Sequence, residues 1–245
     1  MQYIRKEKVS ASKCDAAANL SLIGAIQTVQ DNVCSFFGTL NVDGVTLRKK
    51  FNAMWVYTKN KTLFYHDLHW DEDYEVKCFL SSKSAAKIVV DTALISNGQV
   101  AVYSKIEVCM LDIQTQKIRR ITPDIIPDNT MIQSSLEDFD FDKINIEEGN
   151  YTTNNIIVNS TNIDFCRHTN NVEYIRFVLS TYSVDDIINK RFKTFEINYV
   201  SQSKEGEELA VRRYDNAVGA DFVILSGERI VVNSRITFQS NKYVI

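Results

Sequence analysis

Residues 163–177, IDFCRHTNNVEYIRF, join a short polar loop to the start of a helix. The loop places an aspartate, a cysteine, a histidine and two asparagines within eight positions. Behind it, the apolar residues Val172, Ile175, Val178 and Leu179 recur at helical spacing. Two interpretations follow: a catalytic loop at a helix N-terminus, or a polar turn that caps the helix.

The first half of the chain carries a similar loop and helix. Asp15 takes the place of Asp164, 149 positions earlier (164 − 15). The apolar residues that follow it at helical spacing are Leu22, Ile23, Ile26, Val29, Val33 and Phe36. Both prolines of the chain lie between the two halves in TPDIIPDNT, residues 122–130, and a polar, acidic stretch follows. This segment is the predicted linker.

Strand-like segments rich in Val, Ile, Tyr and Phe accompany each helix, and Asn97-Gly98 is a hairpin signal between two of them. They lie near 3–9, 54–65, 74–80, 87–95 and 100–113 in the first half, and near 155–158, 194–200, 208–214, 222–225 and 230–238 in the second. The repeated order predicts a duplicated α+β module in which each helix packs on a mostly antiparallel sheet. Two unrelated α+β domains are the alternative.

The composition indicates an ordinary folded protein. Hydrophobic residues make up 44% of the chain and charged residues 24%, and no apolar run reaches the length of a membrane span. A net charge of −3 gives no general attraction to nucleic acid. The five cysteines are scattered and the first residues lack the apolar core of a signal peptide, so we expect reduced thiols and a cytoplasmic protein.

The loop resembles that of the acyl-acyl carrier protein (acyl-ACP) thioesterases of the bacterial type. In this family the motif D-x-N-x-H-V-N-N precedes the central helix of the second hotdog domain. Here the motif corresponds to Asp164-Phe165-Cys166-Arg167-His168-Thr169-Asn170-Asn171, followed by Val172 and Tyr174. The first half also resembles the family at Cys14-Asp15, Gln30-Asp31, Leu47, Trp55-Val56, Met110-Leu111-Asp112 and Lys117–Ile121.

This resemblance implies a tandem double hotdog fold, in which each half is a long helix wrapped by an antiparallel sheet. We expect residues 1–121 to form an N-terminal hotdog with the acyl pocket and residues 122–149 to form the linker. Residues 150–245 would form the C-terminal hotdog with the catalytic loop.

The activity that the resemblance implies is hydrolysis of the thioester of fatty acyl-ACP, which releases free fatty acid and belongs to fatty acid biosynthesis. The partner would be an acyl carrier protein. The resemblance implies neither nucleic acid binding nor a membrane span, and it is compatible with a homodimer. No cofactor and no metal are implied. The alternatives are an acyl-coenzyme A thioesterase, a catalytically silent acyl-binding module and a hotdog dehydratase.

Four residues are the catalytic candidates: Asp164, His168, Cys166 and Gln202. Asp164 would activate water or attack the acyl carbon itself, with His168 close by in the loop. Cys166 replaces the asparagine of the family motif, and it is either a thiolate beside His168 or a small filler. Gln202 and Ser203 stand where the family usually has Glu-Cys, and an amide can orient a water but cannot act as a base.

Five further residues are candidates for substrate binding: Asn170, Asn171, Ser203, Trp55 and Gln30. The two asparagines precede a helix whose backbone N–H groups can stabilise an oxyanion, although capping of the helix explains them equally well. Trp55 and Gln30 would border the acyl tunnel beside the first helix.

Overall fold

The computed structural model describes residues 2–146 and 149–239. The chain forms two compact units. The first comprises residues 1–14 and 18–140, and the second comprises residues 15–17 and 141–245. The change from one unit to the other at 140/141 falls inside the predicted linker, whose first part groups with the first unit.

Eleven strands and four α-helices are present in the described residues. Those of the first half are β1 (Gln2–Lys8), α1 (Leu22–Thr39), α2 (Gly44–Phe51), β2 (Ala53–Phe64), β3 (Asp73–Lys83), β4 (Lys87–Ser96), β5 (Gln99–Asp112) and β6 (Ile118–Arg119). Those of the second half are β7 (Thr152–Ile157), α3 (Asn171–Leu179), α4 (Val184–Asn189), β8 (Phe192–Tyr199), β9 (Glu208–Asn216), β10 (Gly219–Ser226) and β11 (Arg229–Phe238). Each half also has a single 3-10 turn before its first α-helix, at Ala11–Lys13 and at Ser160–Asn162.

The two units have the same sheet topology. In the first, the strands are ordered β1-β3-β4-β5-β2, and the short β6 pairs with β5. In the second, the order is β7-β9-β10-β11-β8. Since β7 to β11 follow one another along the chain as β1 to β5 do, the two orders are identical. All pairings within each unit are antiparallel, so the predicted duplicated α+β module is confirmed.

Each core lies between the inner face of a sheet and the buried side of a helix. In the first unit α1 contacts β3 and β4, and its side chains Val29, Val33 and Phe36 are fully buried. In the second unit α3 contacts β9 and buries Ile175 and Val178. The apolar stripes that predicted the two helices are therefore the stripes that pack, as expected for amphipathic helices.

The strand predictions are confirmed to within a few residues, and the hairpin signal at Asn97-Gly98 is the turn between β4 and β5. Both residues have positive φ, 50° and 76°, as a two-residue hairpin turn requires. The short helices α2 and α4 were not predicted from the sequence. The second core helix, α3, contains the predicted Val172, Ile175, Val178 and Leu179; it ends at Leu179, and a new turn capped by Ser183 begins α4. In the residues that the structure describes, no helix is long and apolar enough to cross a membrane.

Candidate active site

The loop before α3 is a tight turn closed at its base. Ile163 and Thr169 form an isolated antiparallel bridge, and the Asp164 N–H donates to the His168 carbonyl at 2.9 Å. Inside the turn, Asp164 Oδ1 accepts the Cys166 N–H at 2.7 Å, and Arg167 has a φ of 64°. Asp164, Cys166 and His168 are therefore brought together in five residues, and all three side chains are partly buried. Phe165 and Arg167 are exposed between them.

The corresponding loop of the first half has the same backbone, 149 positions earlier. Cys14 and Leu20 form its closing bridge, and Asp15 Oδ1 accepts the Ala17 N–H at 2.9 Å. Ala18 has a φ of 61°, as Arg167 does. The side chains differ, since Ala17 replaces Cys166 and Asn19 replaces His168. The aspartate thus belongs to the turn in both copies, whereas Cys166 and His168 have no cysteine or histidine at the equivalent positions of the first copy.

Asn170 is the N-cap of α3. Its side-chain Oδ1 accepts the Val172 N–H at 3.0 Å, and its carbonyl accepts the Glu173 N–H at 2.9 Å. Capping satisfies N–H groups that the first turn of a helix leaves open. The structure therefore gives Asn170 the capping role that the sequence left as one of two interpretations. Asn171 is the first residue of the helix and is partly buried.

The segment that contains Gln202 lies beside the base of the loop. The Thr169 N–H donates to the Ser203 carbonyl at 3.0 Å, so the two backbones are directly hydrogen-bonded. Because Thr169 follows His168 and Ser203 follows Gln202, two distant candidates of the sequence analysis become neighbours. In the first half the same bond joins the Leu20 N–H to the Leu68 carbonyl at 2.7 Å.

Ser203 is fully buried in a cluster of hydroxyl groups. Its Oγ lies 2.7 Å from Thr169 Oγ1 and 2.9 Å from the Tyr174 hydroxyl, and its N–H donates to the same tyrosine oxygen at 3.0 Å. Thr169 Oγ1 also donates to the Ser203 carbonyl at 3.1 Å. Ser203 was predicted from the sequence to bind substrate. In the structure its side chain contacts the buried Thr169 and Tyr174.

Arg229 holds the other side of the same segment. Its Nη1 donates to the Gln202 carbonyl at 2.7 Å and to Ser201 Oγ at 2.6 Å, while its Nη2 pairs with Glu207. The Gln202 side chain is partly buried. Residues 201–203 are thus held by a buried hydroxyl cluster and by a guanidinium group. Neither contact was predicted from the sequence, because Thr169 and Arg229 are both far from Gln202 along the chain.

Tyr199 approaches the start of α3 from strand β8. Its hydroxyl donates to the Asn171 carbonyl at 3.4 Å, and its ring lies 6.1 Å from that of Tyr174. Burial raises the pKa of Tyr199, and the neighbouring Tyr174 raises it further. The phenol is therefore neutral and can donate.

Trp55 and Gln30, the predicted pocket residues, belong to the first unit. The Trp55 ring lies 5.1 Å from that of Phe37 on α1, and its Nε1–H donates to the Val42 carbonyl at 2.7 Å. Gln30 is partly buried on the same helix, two turns before Phe37. Cys34 lies between them along the helix, and its Sγ is 4.0 Å from the Tyr57 hydroxyl. Phe37 and Cys34 of α1 thus lie next to Trp55 and Tyr57, which are alternate residues of β2.

Comparison with known proteins adds three findings. Residues 146–240 match the family model of the acyl-ACP thioesterase C-terminal domain. A solved acyl-ACP thioesterase from Bacteroides thetaiotaomicron superposes with a TM-score of 0.88 and 16% identity, over 97% of this chain and 98% of that chain. The 12:0-ACP thioesterase from Umbellularia californica superposes with a TM-score of 0.85 and 15% identity, over 97% of each chain. At such identities these likenesses establish the fold, and they confirm the tandem double hotdog. None of the curated proteins compared with the chain matches it.

Proposed function

We propose that the protein hydrolyses the thioester of fatty acyl-ACP to free fatty acid, because residues 146–240 match the family model of the acyl-ACP thioesterase C-terminal domain. The observation that carries the proposal is the geometry of the loop at 163–169. It groups a carboxylate, a thiol and an imidazole beside Gln202 and ahead of a helix N-terminus.

The proposed chemistry assigns one step to each group. The carboxylate of Asp164 takes a proton from a water molecule, whose oxygen attacks the carbonyl carbon of the thioester. The electron pair of the C=O bond moves to oxygen, and the positive end of α3 stabilises this oxyanion. When the intermediate collapses, the C–S bond breaks and the protonated form of His168 donates its proton to the departing pantetheine sulfur. The proton that Asp164 took from water then passes to His168, which restores both groups.

Gln202 and Cys166 complete this proposed site. The Gln202 amide orients the attacking water, since an amide can donate and accept hydrogen bonds but cannot take a proton. Asp164 Oδ1 is already engaged by the Cys166 N–H, so Oδ2 is the oxygen that we assign to the water. Cys166 fills the place of the asparagine in the family motif.

The first unit supplies the acyl pocket in this proposal. Trp55 and Gln30 border it on β2 and α1, and the aromatic contact between Trp55 and Phe37 forms an apolar wall. The carrier-protein substrate and a role in fatty acid biosynthesis follow from the family, and a cytoplasmic location fits this substrate. The five cysteines form no disulfide with one another in the part of the chain that the structure describes.

The test is release of free acid from a matched panel of thioesters. Purified protein is incubated with saturated acyl chains of increasing length, each attached either to an acyl carrier protein or to coenzyme A, and free acid is measured by mass spectrometry. We expect release from acyl-ACP, with a lower kcat/KM for the coenzyme A thioesters. If acyl chains bind but no thioester yields free acid, the protein is an acyl-binding module.

A further inference from the structure

The hydroxyl cluster of Thr169, Ser203 and Tyr174 has a single consistent arrangement of its protons. Thr169 Oγ1 donates to the Ser203 carbonyl, so Ser203 Oγ must donate to Thr169 Oγ1. Tyr174 must then donate to Ser203 Oγ, while its oxygen accepts the Ser203 N–H. Each of the three hydroxyl groups donates one hydrogen bond. The series begins at the Ser203 N–H and ends at the Ser203 carbonyl.

The fold does not need this cluster, because the first copy of the module lacks it. There the backbone bond from the Leu20 N–H to the Leu68 carbonyl is kept, and Ala25 stands 149 positions before Tyr174. All three positions are apolar in the first copy and carry a hydroxyl in the second. The copy whose loop itself contains a histidine, His168, is thus the copy with the hydroxyl cluster.

The cluster is deeply buried and adjoins two of the proposed catalytic residues. Ser203, Tyr174 and Thr169 are 0%, 2% and 5% exposed. Thr169 is bonded to His168 along the chain, and Ser203 is bonded to Gln202. Because the Thr169 N–H donates to the Ser203 carbonyl, the cluster holds together the two stretches of main chain that carry His168 and Gln202.

We propose that Tyr174 is a positioning residue for the reaction, which acts through Ser203 to fix Gln202 relative to His168. This inference rests on the proposed function and deepens it. The tyrosine hydroxyl holds both the N–H and the Oγ of Ser203, so its loss frees the backbone next to Gln202 without removing a side chain from the reacting atoms. An error of about 1 Å in such a position can lower the rate by a factor of about one hundred.

The test is a double-mutant cycle on kcat with acyl-ACP as substrate. Tyr174→Phe keeps the ring and should lower kcat by about ten-fold or more, with little change in KM. Gln202→Ala should lower kcat as well. If Tyr174 acts through Gln202, the double variant should have the kcat of Gln202→Ala alone, whereas independent effects would multiply. Multiplied effects, or an unchanged kcat in Gln202→Ala, would overturn the proposal.

Tyr182→Phe is the matched control. Tyr182 lies in the same unit, and its buried hydroxyl makes no hydrogen bond within the described part of the chain. Its replacement should leave kcat unchanged, and a Tyr174→Phe variant that behaves like it would contradict a positioning role. Should Tyr174→Phe not fold, Thr169→Val removes one hydroxyl of the cluster while the Thr169 N–H bond remains, and the same cycle applies. If the wild-type protein releases no acid, the proposed function is wrong. If the wild type is active, a failed mutant cycle contradicts only the positioning role of Tyr174.

Discussion

Asp164 has two roles, one structural and one chemical. Its Oδ1 accepts the N–H two residues ahead, as Asp15 Oδ1 does in the loop of the first half. A side chain that closes a turn in both copies is required by the turn. Removal of the whole carboxylate would therefore disturb the loop and the chemistry together.

Asp164→Asn separates these roles, because an amide oxygen still accepts the Cys166 N–H but cannot take a proton. We expect an unchanged melting temperature and a loss of kcat of about 10²- to 10⁴-fold, the usual contribution of a general base. The measurement is free acid release from acyl-ACP beside a thermal melt. Asp15→Asn, in the equivalent turn without a histidine, is the control and should keep full activity. Wild-type activity in Asp164→Asn would show that the carboxylate charge is not used.

The role of Cys166 is decided by a second pair of substitutions. If the thiol is a filler, Cys166→Ala should lower kcat only slightly, and Cys166→Asn should be tolerated because asparagine is the residue of the family motif at this position. If a thiolate paired with His168 attacks the substrate, both variants should lose activity as severely as Asp164→Asn. Steady-state kinetics with a single acyl-ACP distinguish the two outcomes, and we expect the first.

At the scale of elements, α1 begins in direct contact with the 3-10 turn that precedes it. A Cβ on Gly24 would lie 2.3 Å from the Lys13 carbonyl oxygen, which also accepts the Ser21 N–H and hydroxyl. Gly38, near the end of the same helix, has no atom within 4 Å of such a Cβ. Two glycines of one helix therefore differ in the space around them.

This difference predicts opposite effects on stability. Gly24→Ala should lower the free energy of unfolding by about 1–3 kcal/mol, because the backbone at Lys13 must move. Gly38→Ala should leave it unchanged or raise it by up to about 1 kcal/mol, since alanine favours the helix. Denaturant titration of the two variants and wild type measures both. Equal effects would mean that α1 does not pack against Lys13 as described.

The sequence could predict the long elements and not the short ones. Strands such as β5 and the helix α1 show clear periodicity over many residues. Helix α2 has eight residues and buries only Leu47, so it has no apolar periodicity from which a helix could be predicted. Asp43, its N-cap, is the one sequence signal for its start. The hydroxyl cluster was also missed, because Ser203 is brought to Thr169 by the fold and lies 34 positions away in the chain.

At the scale of the whole molecule, the duplication extends to single hydrogen bonds. Glu72 accepts the His69 N–H and the Ser96 hydroxyl, and Glu207 accepts the Lys204 N–H and the Ser226 hydroxyl. The loops lie 149 positions apart, but these glutamates are 135 apart (207 − 72), so the spacing changes within the module. The offset of 149 positions therefore relates the two loops in the sequence, but it does not relate Glu72 to Glu207.

What the two copies share belongs to the fold, and what they do not share indicates the chemistry. The turn, its aspartate and the sheet order occur twice. The imidazole at His168, the thiol at Cys166 and the hydroxyl cluster have no equivalent at the matching positions of the first copy, and they lie in the half that matches the family model. The central claim is that hydrolysis depends on the side chains that distinguish the second loop from the first.

The most direct test is the single-turnover rate of acid release from acyl-ACP by His168→Asn, which places in the second loop the residue that the first loop has at Asn19. The turn should be preserved, because the first loop forms it with asparagine at this position. We predict an unchanged melting temperature and a rate lower by about 10²-fold or more, since no other group in the loop replaces the proton donor. A His168→Asn variant that releases acid at the wild-type rate would contradict the account.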